Sequence, residues 1–365
     1  MSRIVAVLPF AAEEVDPDAY DLARWLAADV AAELSVPSVI EARLVVDVVE
    51  ISPHAVGEAA TQLKAEAALG AKLHLAEGVV SLAAMLAGPD GKLRAEWAES
   101  LPLGAATRLP RMLARATLLA LGEDASAPAQ SVEPEASGEA VLRLCRAARR
   151  VDEGDVDEGT DELIALVQEQ PAMDAPRRTL LQAARAAVGG DRMPAFFSAI
   201  ERLAEARPDD AEVLLALGDY RALHFDEPGA REAFLKAREC AEDPAISAQA
   251  SAGLAALAEA VGRSEEAILH LRAAVKLLDD AQLYARLGAL LLAKDPAEGF
   301  QMLTRATVLA PQDAALQLAL ARAIREHGGD LWKALAAATR AARLSADDAD
   351  LAEQVRAELE LLIGQ

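Results

Sequence analysis

The chain has 365 residues, which is too long for one small core and favours two domains. Its formal charge of −23 argues against a nucleic-acid ligand, because neutralising a phosphate backbone needs clustered Lys and Arg. Hydrophobic residues make up 53% of the chain and aromatic residues only 3%, a composition that favours closely packed helices.

The sequence also argues against a membrane-inserted or disulfide-linked protein. Every apolar run is either interrupted by charge or shorter than the roughly 18–20 residues that cross a bilayer, and residues 1–10 lack the features of a secretory signal. Cys145 and Cys240 are far apart, so we expect ordinary buried thiols without a disulfide or a metal. We therefore expect a cytoplasmic protein that does not insert into a membrane and binds no cofactor.

The first 122 residues predict a domain of alternating strands and helices. Residues 3–10 are rich in Val and Ile and end at Pro9, which is typical of a buried strand. The elements predicted after it are a helix over 18–35, a strand over 39–50, a helix from 53 to about 70, a strand over 72–88, a Pro-Asp-Gly turn, a strand over 92–100 and a helix over about 104–121. This order implies an α/β sandwich with a mixed sheet.

The same segment carries several features of one known family. Residues 5–10 read Ala-Val-Leu-Pro-Phe after a valine, the first helix ends in Leu34-Ser35, Leu-Gly-Ala at 69–71 is followed by Ala-Glu-Gly at 76–78, and Trp97 lies in the last strand. On these residues the segment resembles the small domain found in proteins akin to the N-terminal part of TolB and to the flagellar protein FlgO. The resemblance implies an accessory domain of unknown or regulatory ligand binding, with no catalytic residues to transfer.

A linker rich in Ala, Ser, Pro and Glu is predicted over 123–138, and a repeat follows it. The period is about 33 to 37 residues, which is that of helix–turn–helix repeats. Its clearest unit has large and small residues at fixed spacing: Leu214, Leu217, Gly218, Ala230, Phe234 and Ala237. Small residues fall where two paired helices cross closely. The pattern resembles the tetratricopeptide (TPR) repeat from about residue 140 onward.

The TPR resemblance implies an all-α, right-handed solenoid over residues 139–365, so that the chain is α+β overall. The helix pairs are predicted over 140–173, 177–210, 211–244, 248–280, 281–313 and 314–348. Residues 349–363 predict one further amphipathic helix, which would cap the apolar face of the last pair.

The sequence offers no recognisable catalytic motif, so we expect a protein that is not an enzyme. Five scattered histidines are expected to be surface or boundary residues. The acidic run over 152–162 invites a calcium-site interpretation, but Glu158 stands where an EF-hand loop needs glycine. A solvated turn between two helices explains this run better.

The TPR resemblance places the first helix of each pair on the concave face of the solenoid. The residues expected to line that face and bind a partner are Arg178, Leu181, Arg185, Glu212, Leu215, Asp219, Gln249, Glu259, Gln282, Leu318, Arg322 and Arg325. Apolar stretches between opposite charges suit an extended or helical segment of another protein. The acidic chain favours a partner with a basic or mixed surface.

Three functions remain open at this point. The favoured one is a non-enzymatic protein–protein interaction scaffold or adaptor that uses the concave face. The alternatives are a regulatory protein that senses a small molecule or nucleotide through its N-terminal domain, and a self-assembling subunit of an envelope or motility complex. The sequence leaves the oligomeric state open, and fold-level analogy does not decide among the three.

Overall fold

The computed structural model describes residues 3–12, 16–35, 40–44, 51–123, 135–345 and 348–363. The chain forms two compact units, one over Ser2–Ala206 and one over Arg207–Gln365. The first contains a sheet and two helix pairs, and the second contains four helix pairs and a last helix. Residues 124–134 of the predicted linker, and residues 39 and 45–50 of the predicted second strand, lie outside the described residues.

The sheet of the first unit is mixed, as the sequence predicts. Its strands are β1 (Arg3–Val7), β2 (Ala11–Ala12), β3 (Ile40–Leu44), β4 (Ala67–Ala76), β5 (Val79–Ala87) and β6 (Leu93–Pro102). The order is β3-β1-β4-β5-β6, and the short β2 pairs with β4. β1 is parallel to β3 and β4, whereas β4, β5 and β6 are antiparallel neighbours. The predicted buried strand at the start of the chain is thus a central strand.

One predicted strand is wrong, because residues 72–88 form parts of two strands. The chain reverses at Glu77 and Gly78, whose φ angles of 49° and 74° are both positive. Two such residues suit the tight turn of a β-hairpin, since their twist matches that of the flanking strands. The preceding helix also ends earlier than predicted, at Gln62, and residues 67–70 belong to β4.

The helices of the sheet region cover the sheet with apolar faces. They are α1 (Pro17–Ser35), α2 (Pro53–Gln62), a 3₁₀ helix (Leu103–Arg108) and α3 (Leu109–Ala120). The face of α1 that carries Leu22, Leu26 and Val30 is buried. Trp25 is also buried, so α1 contributes to the interior on more than one side.

The remaining helices form pairs at the predicted positions. They are α4 (Gly138–Glu153) with α5 (Val156–Glu169), α6 (Ala175–Ala187) with α7 (Met193–Ala206), α8 (Ala211–Leu223) with α9 (Glu227–Cys240), α10 (Pro244–Ala260) with α11 (Ser264–Leu277), α12 (Ala281–Leu291) with α13 (Pro296–Leu309), and α14 (Ala314–Glu326) with α15 (Leu331–Leu344). The last helix is α16 (Ala349–Ile363). The predicted fold class, an α/β domain followed by TPR-like helix pairs, is confirmed.

Close packing within each pair explains why the repeat needs small residues. A Cβ atom at Gly218 of α8 would stand 2.6 Å from the ring of Phe234 on α9. A Cβ at Gly288 of α12 would stand 2.8 Å from Cγ of Leu303 on α13. Aspartates whose side chains accept backbone N–H groups begin many of these helices: Asp210, Asp226, Asp243, Asp280, Asp295, Asp313 and Asp330.

The turns inside several pairs share one backbone conformation. Gly154, Gly262 and Gly328 have positive φ angles of 109°, 73° and 73°. Phe225 occupies the same place between α8 and α9 with a φ of 61°. The residue after it, Asp226, donates its N–H to the Arg221 carbonyl at 3.0 Å, the same six-residue closure that follows Gly262. A phenylalanine therefore holds a conformation that glycine adopts with less strain.

Candidate partner-binding surface

The twelve predicted surface residues all lie on first helices, but they fall in both compact units. Three are on α6 of the first unit: Arg178, Leu181 and Arg185. Nine are on α8, α10, α12 and α14 of the second unit: Glu212, Leu215, Asp219, Gln249, Glu259, Gln282, Leu318, Arg322 and Arg325. Their surroundings divide them into buried, paired and exposed groups, and Gln282 is both paired and exposed.

Three predicted apolar contacts are interior residues. Leu181, Leu215 and Leu318 are all buried. Leu215 belongs to a core with Phe234 of α9, and Leu318 packs with Val355 of α16. The expectation that these leucines line an open surface is corrected, because all three are buried and Leu215 and Leu318 join their helices to a neighbour.

Arg178 is also buried, and its partners are on α1. Its Nη2 lies 3.3 Å from Oδ2 of Asp29, and its Nη1 contacts Oε1 of Glu33. Asp174, one turn earlier on the same helix, is 3.4 Å from its Nε. Only 7% of the Arg178 side chain is exposed. The expectation that Arg178 is an open binding position is therefore corrected, because α1 covers this residue and its Asp29 and Glu33 pair with the guanidinium.

Neighbouring side chains extend this contact of α1 with α6. The indole Nε1 of Trp25 donates to Oγ1 of Thr179 at 3.1 Å, and Nε2 of Gln182 donates to Oδ1 of Asp29 at 3.0 Å. Burial raises the pKa of Asp29, and the Arg178 charge opposes that effect. The carboxylate is thus held in place by ionic and hydrogen-bonding partners but is costly to ionise.

Helix α4 contacts the same side of the molecule through arginines. Arg146 donates to both carboxylate oxygens of Asp18, each at 3.1 Å, and Nη1 of Arg149 lies 3.5 Å from Oδ1 of Asp21. Burial raises the pKa of Asp21, an effect that Arg149 opposes. Faces of α4 and α6 are therefore occupied by α1 of the same chain.

The paired residues of the second unit connect successive first helices. Oε1 of Glu259 on α10 accepts from Nη2 of Arg286 on α12 at 2.6 Å, and Gln282 of α12 donates to Asp313 before α14 at 3.4 Å. Nε of Arg325 on α14 donates to Oε1 of Glu358 on α16 at 2.6 Å. These contacts hold neighbouring pairs together.

Arg322 belongs to the same end of the second unit. Its Nη2 donates to Oε1 of Gln354 at 3.3 Å, and its Nε lies 3.9 Å from the Glu358 carboxylate. Glu358 is 3% exposed and receives Arg325 as well. The two arginines predicted to close the binding face are therefore engaged with the last helix.

The exposed residues define a smaller candidate surface. Arg185 is exposed in the first unit, and in the second unit Asp219, Gln249 and Gln282 are exposed while Glu212 is half-buried. We call Glu212, Asp219, Gln249 and Gln282 the first-helix surface.

The helices that carry the first-helix surface are neighbours. Leu214 of α8 shares a core cluster with Leu254 of α10, and Ala255 of α10 shares another with Leu287 of α12. The side chains therefore stand on helices packed one beside the next.

The chemistry of the first-helix surface is acidic at one end and otherwise uncharged. Glu212 and Asp219 lie on α8, Gln249 and Gln282 supply amides, and exposed alanines such as Ala256 stand between them. Small side chains leave room for an incoming backbone, while amides and carboxylates can accept its N–H groups or pair with its cations. Such a surface can make hydrogen bonds and ion pairs with a bound chain.

Sequence reasoning missed one conspicuous residue near α8. Phe225 is 95% exposed at the turn between α8 and α9. Leu223, the last residue of α8, and Val261, in the turn between α10 and α11, are also exposed. The signal was present, since phenylalanine stands where two later pairs have glycine. A solvent-facing aromatic ring in a strained turn adds an apolar edge beside the α8 end of the surface.

The acidic run between α4 and α5 is a helix boundary. Gly154 ends α4 with a left-handed backbone conformation. Asp157 and Glu158 lie in the first turn of α5, where their negative charge interacts favourably with the helix dipole. No group of three or more His, Cys, Asp or Glu side chains capable of holding a metal occurs in the part of the chain that the structure describes. Of the helices within those residues, none combines the length and apolarity required to traverse a bilayer.

Both cysteines are free thiols. Cys145 is buried in α4, where burial raises the pKa of its thiol, and Cys240 is half-buried at the end of α9.

No family model matches this sequence, and no curated protein matches it. Among solved structures, a thermophilic TPR protein of Thermus thermophilus, TTC0263, is 21% identical over 50% of this chain and 98% of that chain, with a TM-score of 0.38. PilF of Pseudomonas aeruginosa is 13% identical over 60% of this chain and 97% of that one, with a TM-score of 0.46. YrrB, described as a TPR protein with an unusual peptide-binding site, is 15% identical over 53% and 97%, with a TM-score of 0.39. The TPR-like character of this chain rests on its own helix-pair geometry.

Proposed function

We propose that this protein is a non-enzymatic adaptor that binds a segment of another protein on its first-helix surface. The observation that carries the proposal is the contrast between the two units. The corresponding helices of the first unit, α4 and α6, are covered by α1, whereas Asp219, Gln249 and Gln282 on α8, α10 and α12 remain exposed. Exposed, adjacent helices of a repeat are the usual place for a partner.

The partner that fits is an extended or helical segment with basic residues. Glu212 and Asp219 place two carboxylates at the α8 end, whereas Arg322 and Arg325 make the α14 end basic. A cation on the segment would therefore be attracted toward α8, and its uncharged part would pass over the alanines and amides. We assign the N-terminal α/β domain, by its TolB- and FlgO-like residues, the role of an accessory module.

Site-specific crosslinking tests this function. A photo-crosslinking amino acid at Gln249, on the first-helix surface, should join the partner, whereas the same amino acid at Leu269, exposed on the second helix α11, should not. The full-length protein should be used, with the partner identified from the crosslinked peptides.

Charge reversal gives the matched control. Asp219→Arg should weaken crosslinking at Gln249 because it repels a basic segment, and Glu232→Arg, a change on α9, should leave it unchanged. Equal capture by Asp219→Arg and the unmodified chain, or equal crosslinking from Gln249 and Leu269, would contradict the proposal.

A further inference from the structure

A second surface, on α15, is chemically unlike the first-helix surface. Its residues follow one side of the helix and line a shallow depression of about 380 Å³: Trp332, Leu335, Ala336, Thr339, Arg340 and Arg343. We call this set the α15 outer face. The opposite side of α15 is buried through Ala334, Ala337, Ala338 and Ala341. Trp332 is 80% exposed, so the depression begins at a large aromatic ring in contact with solvent.

The net charge of α15 is positive, opposite in sign to that of the whole chain. Leu331–Leu344 contains Lys333, Arg340 and Arg343 and no acidic residue, within a protein of formal charge −23. No ion pair joins these three cations to any residue in the described ranges. Elsewhere in the same unit, arginines such as Arg286 and Arg325 are paired with carboxylates. The α15 outer face therefore presents an aromatic ring together with positive charge that no carboxylate of the described residues pairs with.

Other second helices show which chemistry packs against such a face. Arg231 of α9 pairs with Glu266 of α11, and Arg272 of α11 pairs with Glu298 of α13 at 2.6 Å. In both cases the carboxylate lies in the first turn of the neighbouring helix. A carboxylate in the first turn of the neighbouring helix is thus the group that this repeat already uses to pair with an arginine of a second helix.

We propose that the α15 outer face binds an acidic amphipathic helix of a partner protein. The apolar side of that helix covers Trp332 and Leu335, and its carboxylates pair with Arg340 and Arg343. Burying an exposed tryptophan provides apolar area, and arginine–carboxylate pairs fix the orientation. This surface is separate from the first-helix surface, and its acidic occupant is of opposite charge to the basic segment proposed there.

A peptide based on the chain's own sequence provides a defined probe. Residues 264–278, Ser-Glu-Glu-Ala-Ile-Leu-His-Leu-Arg-Ala-Ala-Val-Lys-Leu-Leu, include a helix with Glu265 and Glu266 in its first turn. The peptide is made with Arg272→Gln and Lys276→Gln, so that its two carboxylates make it acidic. Added to the full-length protein, the peptide should shift the tryptophan fluorescence saturably, and Trp332→Ala, which keeps Trp25 and Trp97, should lose that shift. A control peptide with Glu265→Gln and Glu266→Gln should bind about tenfold more weakly, since it lacks the carboxylates.

Variants of the protein locate the binding. Arg340→Ala with Arg343→Ala should weaken peptide binding about tenfold, measured by titration calorimetry. The control, Lys276→Ala with Arg356→Ala, removes two exposed cations from other helices and should leave the affinity within about twofold. Trp332→Ala should abolish the saturable heat signal, since it removes most of the apolar contact.

Several outcomes would overturn the proposal. They are no saturable binding at the highest soluble peptide concentration, equal affinity for the glutamine peptide, and equal loss in the two double variants. Light scattering that shows dimers lost with Arg340→Ala and Arg343→Ala would identify a second copy as the occupant instead. Binding of phosphatidylserine vesicles, but not of the peptide, would identify a lipid surface.

Discussion

Nη2 of Arg178 lies 3.3 Å from Oδ2 of Asp29, and both side chains are buried. The contact joins α6 of a helix pair to α1 of the sheet region. It removes from solvent a charge that the repeat pattern alone would place on an open face. In this unit the sheet region and the first two helix pairs therefore share one interior, and Arg178 is one of its structural residues.

Arg178→Met should destabilise the unit by about 3–5 kcal/mol, because it leaves the buried Asp29 without its cation, although Glu33 keeps Arg111. Urea unfolding followed by circular dichroism measures the change. Arg185→Met, an exposed change on the same helix, should stay within about 0.5 kcal/mol. The double variant Asp29→Asn with Arg178→Met should lose less than the sum of the two single changes. Additive losses, or equal effects of Arg178→Met and Arg185→Met, would show that the pair is not coupled.

Gly218→Ala should lower stability by about 1–3 kcal/mol through overpacking. The new Cβ would meet Cδ1 and Cε1 of Phe234 at 2.6 Å, and a Cβ at Gly253 would meet Cζ of the same ring at 2.6 Å. Thermal unfolding of the full chain tests the effect on the second unit. Gly190→Ala serves as the control, since its nearest atom outside the adjoining residues would be 3.4 Å away. A stabilising effect of Gly218→Ala would contradict the proposed close crossing of α8 and α9.

Phe225→Gly should raise the free energy of unfolding by about 1 kcal/mol, because the φ of 61° is strained for phenylalanine and easy for glycine. The exposed ring loses little packing when it is removed. Gly262→Ala, at the equivalent turn between α10 and α11, should lower stability by a similar amount, because it introduces the backbone strain that Phe225→Gly removes. Chemical denaturation of both variants gives the comparison, and a loss of stability in Phe225→Gly would mean that the ring packs in solution.

The second unit should lose stability in mild acid because of His270. Burial lowers its pKa, Arg238 and Arg231 on α9 lower it further, and Glu266, 3.8 Å away, opposes the shift. The folded-state pKa thus lies below the ordinary value of 6.5, so unfolding takes up a proton at intermediate pH. The stability from this group is complete above pH 6.5 and is lost as the pH falls through the folded-state pKa.

Melting temperatures measured between about pH 7.5 and about pH 5 would reveal this loss. His270→Gln should flatten the curve in that window. His327→Gln, at the end of α14 and exposed, should keep the slope of the unmodified protein. An unchanged slope in His270→Gln would rule out this histidine as the source.

The local spacing of large and small residues was sufficient to predict the helix pairs. Gly218 and Phe234 stand sixteen positions apart in the sequence because a close crossing requires one small and one large partner. The hairpin at Glu77 and Gly78 was missed although Glu-Gly separates two alternating runs, since the whole stretch also reads as one long strand. The positive φ angles at Glu77 and Gly78, which amino-acid composition predicts only weakly, distinguish the hairpin from one long strand.

The candidate surface was harder to predict than the helices that carry it. Helical spacing placed Arg178 on the outward side of α6, but Glu33, one of its partners, lies 145 residues earlier in the chain. Which helix covers which face depends on tertiary packing, and a single sequence carries no local signal for it. Gln249 and Gln282 remained exposed because no element of their unit packs over them among the described residues.

The covering of α4 and α6 by α1 affects how the gene can be shortened. A fragment starting at residue 139 would discard Asp18, Asp29 and Glu33, so Arg146 and Arg178 would lose those counter-charges. The surface that α1 buries would then be exposed to water. Truncations and domain fusions should therefore begin or end near residue 207, where the chain divides into its compact units. The predicted linker over 123–138 is the less suitable boundary.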